Sequence, residues 1–244
     1  TVLSDYALTS LGLCLMVAVG VTALGLSTAA LVTLFDFPGR GTFEWLLLLP
    51  LAMPAYVVAY AYTDFLQFSG PLQMLLRDTL GLQGRLWPDV RSVWGAALVF
   101  ILSLYPYVYF STRAMFVMQM ANLIEVGRTL GASRFGIFHR VALPLARPAI
   151  AVGTSLALMD ALNDIGASEF LGVRTMTVSI YSTWVNRSNL PGAAQIALIM
   201  LALVIALILI ERFARRRQSY AGSAQRARRL VPERLQGASA FVAF

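Results

Sequence analysis

Residues 124–150 read IEVGRTLGASRFGIFHRVALPLARPAI and lie between two long apolar runs. A connection between membrane spans needs only to be short or polar. This one repeats an amphipathic pattern twice, with Arg128, Arg134, Arg140, Arg147 and the chain's single histidine, His139. Leu123, Val126, Gly127 and Leu130 recur at i, i+3, i+4 and i+7, one face of a short helix. Gly131 interrupts the pattern, as a helix-ending residue with positive φ would. Ser133 can cap a second helix, on which Phe135, Phe138 and Ala142 form a new apolar face with Arg134 and Arg140 off it. Pro144 ends that helix, because the residue before a proline disfavours α geometry. The spacing predicts two short helices, bent at Gly131 and lying flat beneath a membrane.

Outward from this stretch, the chain is 58% hydrophobic with a mean hydropathy of +0.71. A soluble domain averages about 45–50% apolar residues. The excess sits in long runs almost free of charge, which predicts an all-α polytopic membrane helix bundle. Five spans are expected. The first covers 8–34. The second covers 45–63 and should be kinked by Pro50 and Pro54. The third covers 92–112, with the aromatic cluster YPYVYF around Pro106. The fourth has an uninterrupted apolar stretch of only 148–159, and reaches spanning length at 144–165 once Arg147 snorkels at one end and a polar end from Asp160 to Asp164 is included. The fifth covers 193–210.

The net charge of +7 is carried by arginine, since the sequence has no lysine. With 113–147 on the cytoplasmic side, fourteen arginines fall inside and five outside, as the positive-inside rule requires. Eight of the fourteen lie between Arg212 and Arg234, so the tail decides the orientation. Residues 213–244 are read as a basic cytoplasmic tail and linker that sets orientation, with a lipid-headgroup patch as the functional alternative. Cys14, within an apolar run, reads as a small buried hydrophobe. No basic n-region or cleavage site follows Thr1, so no signal peptide is expected. The closing ASAFVAF starts a fresh apolar run, and both ends read as belonging to a longer polypeptide.

Three roles compete for the paired helices of 121–143. They could rest in the headgroup layer, dock a cytoplasmic partner, or read DNA as a helix–turn–helix. The last is disfavoured because Pro144 and a span follow at once, leaving no free reading helix; no nucleic-acid partner is expected. At these residues the chain resembles the permease subunits of binding-protein-dependent (type I) ABC importers. Their signature has a Glu, a Gly six residues later and a Leu-Pro pair before the next span, matched here by Glu125, Gly131 and Leu143-Pro144. It departs at Val126 and Gly127, where the family commonly has alanines. The resemblance covers nearly all of residues 1–212, the permease half. It implies that 121–143 is a coupling loop seated in a groove of an ATPase subunit, with Glu125, Leu130, Gly131, Ser133, Phe135, Phe138 and Pro144 as its coupling residues. It further implies a second permease half, two ATP-binding subunits and a periplasmic binding protein as partners, in a bacterial inner membrane with loop and tail cytoplasmic.

The residues support that division of labour. A Walker A loop needs a lysine on the β- and γ-phosphates, and none is present, so ATP is expected on the partner subunit and no cofactor on this chain. One His and one Cys supply neither a Cys/His dyad nor a thiolate zinc site; no enzyme activity and no resident metal are expected.

The second informative stretch is MDALNDIGASEFLGVRTMTVSIYSTW, 159–184. Asp160 and Asp164 at i, i+4 should share a helix face, with Asn163 beside them. A carboxylate at mid-membrane costs about 2.5–3.5 kcal/mol on the insertion scale, so such groups face a cavity or a partner. Carboxylate and amide oxygens suit hard cations. These residues and Glu169 are the expected translocation-path set, the bland alternative being solvated carboxylates in the outer headgroup layer. The run from Met159 through IYSTW, with AAQIA at 193–197, resembles the ferric-iron branch of these permeases, in which two halves are fused. Thiamine and aminophosphonate permeases are near relatives. The rival readings are an ATP-independent secondary transporter or channel using Asp160 and Asp164 directly, and a membrane anchor that only recruits partners.

Overall fold

The computed structural model describes residues 2–129, 136, 138–216 and 233–234, and these are helical almost throughout. Helix α1 (Val2–Leu34) has no charged residue after Asp5 and runs unbroken to a short extended piece, Phe35–Asp36, which pairs in parallel with Glu233–Arg234. Then come α2 (Arg40–Leu46), a 3-10 turn (Leu49–Ala52), α3 (Ala55–Leu66) and α4 (Pro71–Leu80). Helix α5 (Val93–Thr129) is the longest. A π-helical turn (Phe138–Ala142) enters α6 (Leu143–Asn163). The short helices α7 (Gly166–Phe170) and α8 (Met176–Tyr181), a second π turn (Ser182–Asn186) and α9 (Leu190–Arg216) follow.

Among the described residues four helices are long and apolar enough to cross a membrane: Leu3–Leu34, Val93–Met118, Leu143–Asn163 and Leu190–Leu209. A fifth is reached if the bent pair Arg40–Ala52 and Ala55–Leu80 counts as one span. The all-α polytopic bundle expected from the sequence is therefore the fold observed, and the short fourth run does extend to spanning length.

Three local expectations are corrected. The stretch 45–63 is not one kinked helix. Helical turns stop at Ala52, and Pro54, extended at φ −57° and ψ 136°, precedes a new helix at Ala55. Pro54 lacks an N–H and disfavours α geometry at Met53 before it, so the helix breaks there, while Pro50 stays within the 3-10 turn. Secondly, the third span does not end near Thr112. α5 continues through 113–129, so the first amphipathic pattern of the connecting loop is the far end of a spanning helix. Thirdly, Pro144 does not terminate a helix. It is the second residue of α6, and the π turn leads straight into that helix. The Gly131 bend and the Ser133 cap lie outside the described residues.

The chain packs as two compact units. One comprises Thr1–Gly20, Leu51–Leu104 and Leu158–Ala206, and its buried side chains include Val17, Phe100, Leu171 and Met176. Within it α3 packs on α7, and a Cβ on Gly166 would sit 3.1 Å from the Tyr56 Cβ. The other comprises Val21–Pro50, Tyr105–Ala157 and Leu207–Phe244, with Val21, Val32, Val108, Tyr109 and Phe116 buried. There the Thr22 and Thr154 hydroxyls are hydrogen-bonded at 2.8 Å, joining α1 to α6.

Candidate functional site

The connecting segment is approached from one side by α5 and left on the other through the π turn. Glu125 falls on the α5 extension. Leu130, Gly131, Ser133 and Phe135 lie outside the described residues. Phe138 opens the π turn, only partly buried, its ring meeting the His139 ring edge-on with centroids 5.4 Å apart. An aromatic side chain left partly uncovered beside a turn is a suitable anchor for a partner surface.

At the other end of α6 the expected shared helix face of Asp160 and Asp164 is corrected. Asp160 and Asn163 are exposed on the last turn. Asp164 does not continue their face, because α6 ends at Asn163. Its Oδ1 instead accepts the backbone N–H groups of Ala167 at 2.8 Å and Ser168 at 3.1 Å, capping α7 from just outside it. Asp160 is thus the more exposed of the two carboxylates, and its charge is still felt at Asp164. Burial pushes the Asp164 carboxyl above its ordinary range, and the two N–H bonds oppose that shift. Glu169 is exposed in α7. Among the described residues no group of three His, Cys, Asp or Glu is placed to hold a metal ion.

The neighbourhood of α7 and α8 is tightly bonded. Ser10 Oγ accepts the buried Met176 N–H at 2.9 Å, and the Thr177 hydroxyl donates to the Leu162 carbonyl. Phe170 packs at a tilt against Tyr60, with ring centroids 5.8 Å apart, and lies beneath the Arg91 guanidinium at 5.0 Å. Arg91, Arg85, Gln67, Gln73 and Trp87 help to line a mainly polar cavity of about 320 Å³.

One cluster escaped the sequence reading. Glu44 of α2 takes an ion pair from Arg113 of α5 at 2.8 Å and from Arg40 at 3.4 Å, while the Tyr109 hydroxyl donates to the Glu44 carbonyl at 3.2 Å. Arg40 and Arg113 entered the sequence reading only as orientation charges. The usable signal was an arginine embedded in the apolar run YFSTRAMF, which demands a partner.

The helical fold with its several apolar spans agrees with the importer-permease resemblance carried by Glu125, Gly131 and Leu143-Pro144. A family model for the binding-protein-dependent transport system inner membrane component matches residues 21–220, and the chain belongs to that family. It is similar to the molybdenum transport system permease protein ModB of Escherichia coli (strain K12), 31% identical over 81% of this chain and 87% of ModB. It is also similar to the Fe(3+)-transport system permease protein FbpB 2 of Haemophilus influenzae, 26% identical over 83% of this chain but only 36% of FbpB 2. In fold it resembles a chain of the MetNI methionine ABC transporter in an inward-facing conformation, with a TM-score of 0.69 at 15% identity over 88% of this chain and 94% of that one. The chain is a transmembrane permease component of an ABC importer.

Proposed function

We propose that this permease passes Fe³⁺ delivered by a periplasmic binding protein, in concert with a second permease half, and that residues 121–143 take their push from a separate pair of ATP-binding subunits. The observation that carries the reading is the match to the permease family over 200 residues, 21–220, which includes the signature segment. ATP on other subunits is supported by the absence, in these 244 residues, of a lysine that a Walker A loop would need. The coupling role is supported by α5 itself. It runs eleven residues beyond the apolar limit at Met118, roughly 16 Å at helical rise, as a stiff lead into the segment. In this reading Glu125 and Gly131 shape that segment, Phe135 and Phe138 anchor it, and the arginine balance supports a cytoplasmic side for it.

Iron is supported by the likeness to FbpB 2 and by the hard oxygen donors Asp160, Asn163, Asp164 and Glu169 near the far end of α6. Molybdate is the second reading, favoured by the higher identity to ModB over most of both chains. The test reconstitutes the complete importer in liposomes and follows uptake of radiolabelled Fe³⁺ and molybdate with and without ATP. ATP-dependent Fe³⁺ uptake is expected. Molybdate uptake alone transfers the assignment to the second reading, and uptake that ignores ATP rejects the importer mechanism. In parallel, Phe138→Asp should lose the ATP-binding subunits on purification; unchanged retention removes the docking role from this segment.

A further inference from the structure

We infer that Glu44 and Arg113 are positioning residues that pin the α5 extension to the end of α1, forming the fulcrum through which movement at 121–143 reaches the spans. The inference rests on the coupling role proposed above.

The pin is assembled from three elements of one compact unit. Gly39, at φ 82°, turns the chain into α2, a helix with Arg40 and Glu44 one turn apart and with Trp45 and Leu46 exposed. Arg40 Nε donates to the Val32 carbonyl at 2.7 Å. That carbonyl lies in the last turn of α1, where acceptors have no helical donor, so Arg40 ties α2 back to the first span. Glu44 then faces α5. Its carboxylate holds Arg113 at 2.8 Å, and its backbone carbonyl accepts the Tyr109 hydroxyl at 3.2 Å. Tyr109 and Arg113 are i, i+4, so two successive turns of α5 grip a single residue of α2.

The energetics favour a functional reason for this arrangement. Arg113 lies near the end of the apolar run Val93–Met118, where an arginine needs a partner or a route to the interface. The Glu44 and Arg113 side chains are only 25% and 30% exposed, so their attraction is less screened than at an open surface. The Arg113 Nε–H is buried without a partner among the described residues, a cost that simple packing would avoid. Apolar side chains could join α2 to α5 more cheaply. An ion pair adds a directional bond at one point.

That point is mechanically placed. Beyond Arg113 the helix continues to Thr129 with no further proline, a rod of roughly 24 Å. A rod pushed at its far end and pinned near its base must rotate about the pin and carry α1 with it. With the pin removed, the extension can move while the spans stay behind. The expected defect is uncoupling, with folding and docking intact.

The test uses the complete importer in liposomes, with Glu44→Gln, Arg113→Met and the conservative Glu44→Asp. Retention of the ATP-binding subunits, ATP hydrolysis and substrate uptake are measured for each. Glu44→Gln and Arg113→Met should retain the subunits and hydrolyse ATP, while uptake per ATP falls about tenfold. Glu44→Asp should recover most of the wild-type ratio, since it keeps the carboxylate that both arginines face. An unchanged ratio in both neutral variants overturns the pin, as does a Glu44→Asp variant no better than Glu44→Gln. So does a parallel loss of hydrolysis and uptake that leaves the ratio intact. Retention of the ATP-binding subunits in Phe138→Asp would reject the docking reading; if Phe138→Asp releases them while the Glu44 and Arg113 variants keep a normal ratio, the pin alone is wrong.

Discussion

Gly25 of α1 and Gly153 of α6 abut the same residue of α5. A Cβ on Gly25 would lie 2.6 Å from the Val108 Cβ, and one on Gly153 would lie 2.6 Å from the Val108 Cα. Backbone atoms crowd both positions, Tyr105 O at 2.9 Å from the first and Tyr107 O at 2.7 Å from the second. Without a hydrophobic force between helices in lipid, close backbone approach at small residues is what holds spans together. The Thr22–Thr154 hydrogen bond at 2.8 Å lies beside the same contact.

Side chains at either glycine should therefore force the helices apart. Gly25→Val and Gly153→Val are each expected to destabilise the protein by about 1–3 kcal/mol or more, as overpacking does where backbone cannot yield. The midpoint of thermal unfolding in detergent should fall for both. Gly12→Ala is the control, because a Cβ there meets nothing within 4 Å. A midpoint for Gly153→Val equal to that of Gly12→Ala would contradict the close approach.

How much of this was legible in the sequence depends on what each element is made of. α1 and α9 announce themselves, being long, apolar and free of proline through their middles. α5 hid its length, because reading by hydropathy ends a helix where the apolar run ends. The residues beyond Arg113, AMFVMQMANLIEV, are good helix formers with no glycine or proline, so propensity carries the helix onward regardless of polarity. Asp160 and Asp164 were paired by helical spacing, but the helix stops between them, and the short-range cap that Asp164 makes is a tertiary detail with only DIGAS as its cue. The Glu44–Arg113 pair joins distant stretches, and no periodicity links them.

Ser10 offers a test of the unit that holds α7 and α8. It is 2% exposed, and its hydroxyl oxygen is the acceptor for the buried Met176 N–H. Ser10→Ala leaves that donor buried and unsatisfied, at an expected cost of about 1–3 kcal/mol. Ser27→Ala should be nearly silent, since the Ser27 hydroxyl bonds only to the Leu24 carbonyl of its own helix. Comparing the two unfolding midpoints in detergent checks the prediction, and equal midpoints would refute it.

Gln73 plays the corresponding part for residues 64–92. Its side chain is 2% exposed, with Nε2 donating to the Leu66 carbonyl at 3.0 Å and Oε1 receiving the Leu86 N–H at 3.4 Å. Trp87 Nε1 reaches the same Leu66 carbonyl at 2.8 Å. Leu66 ends α3, so its carbonyl lacks a helical donor and both side chains satisfy it. Gln73→Leu should loosen the segment, costing about 1–2 kcal/mol. Trypsin cleavage after Arg85 and Arg91 should quicken relative to wild type. An unchanged cleavage rate would show that Gln73 does not hold the segment.

Asp164 separates a cap from a conduit. Its Oδ1 takes the Ala167 and Ser168 N–H groups, a task that an asparagine oxygen performs as well and a methyl group does not. Asp164→Ala should therefore lower stability by about 1 kcal/mol, while Asp164→Asn should leave the unfolding midpoint in place. Asp160 is exposed on the last turn of α6. If both carboxylates attract the cargo, replacing each with Asn removes charge without removing the cap, and uptake should slow while the ATP-binding subunits remain attached. Uptake at the wild-type rate in the Asp160→Asn, Asp164→Asn double variant would take both residues off the route. Asp164 would then be left with the role its geometry already supplies: starting α7, and so fixing where Phe170 meets Tyr60 and Arg91.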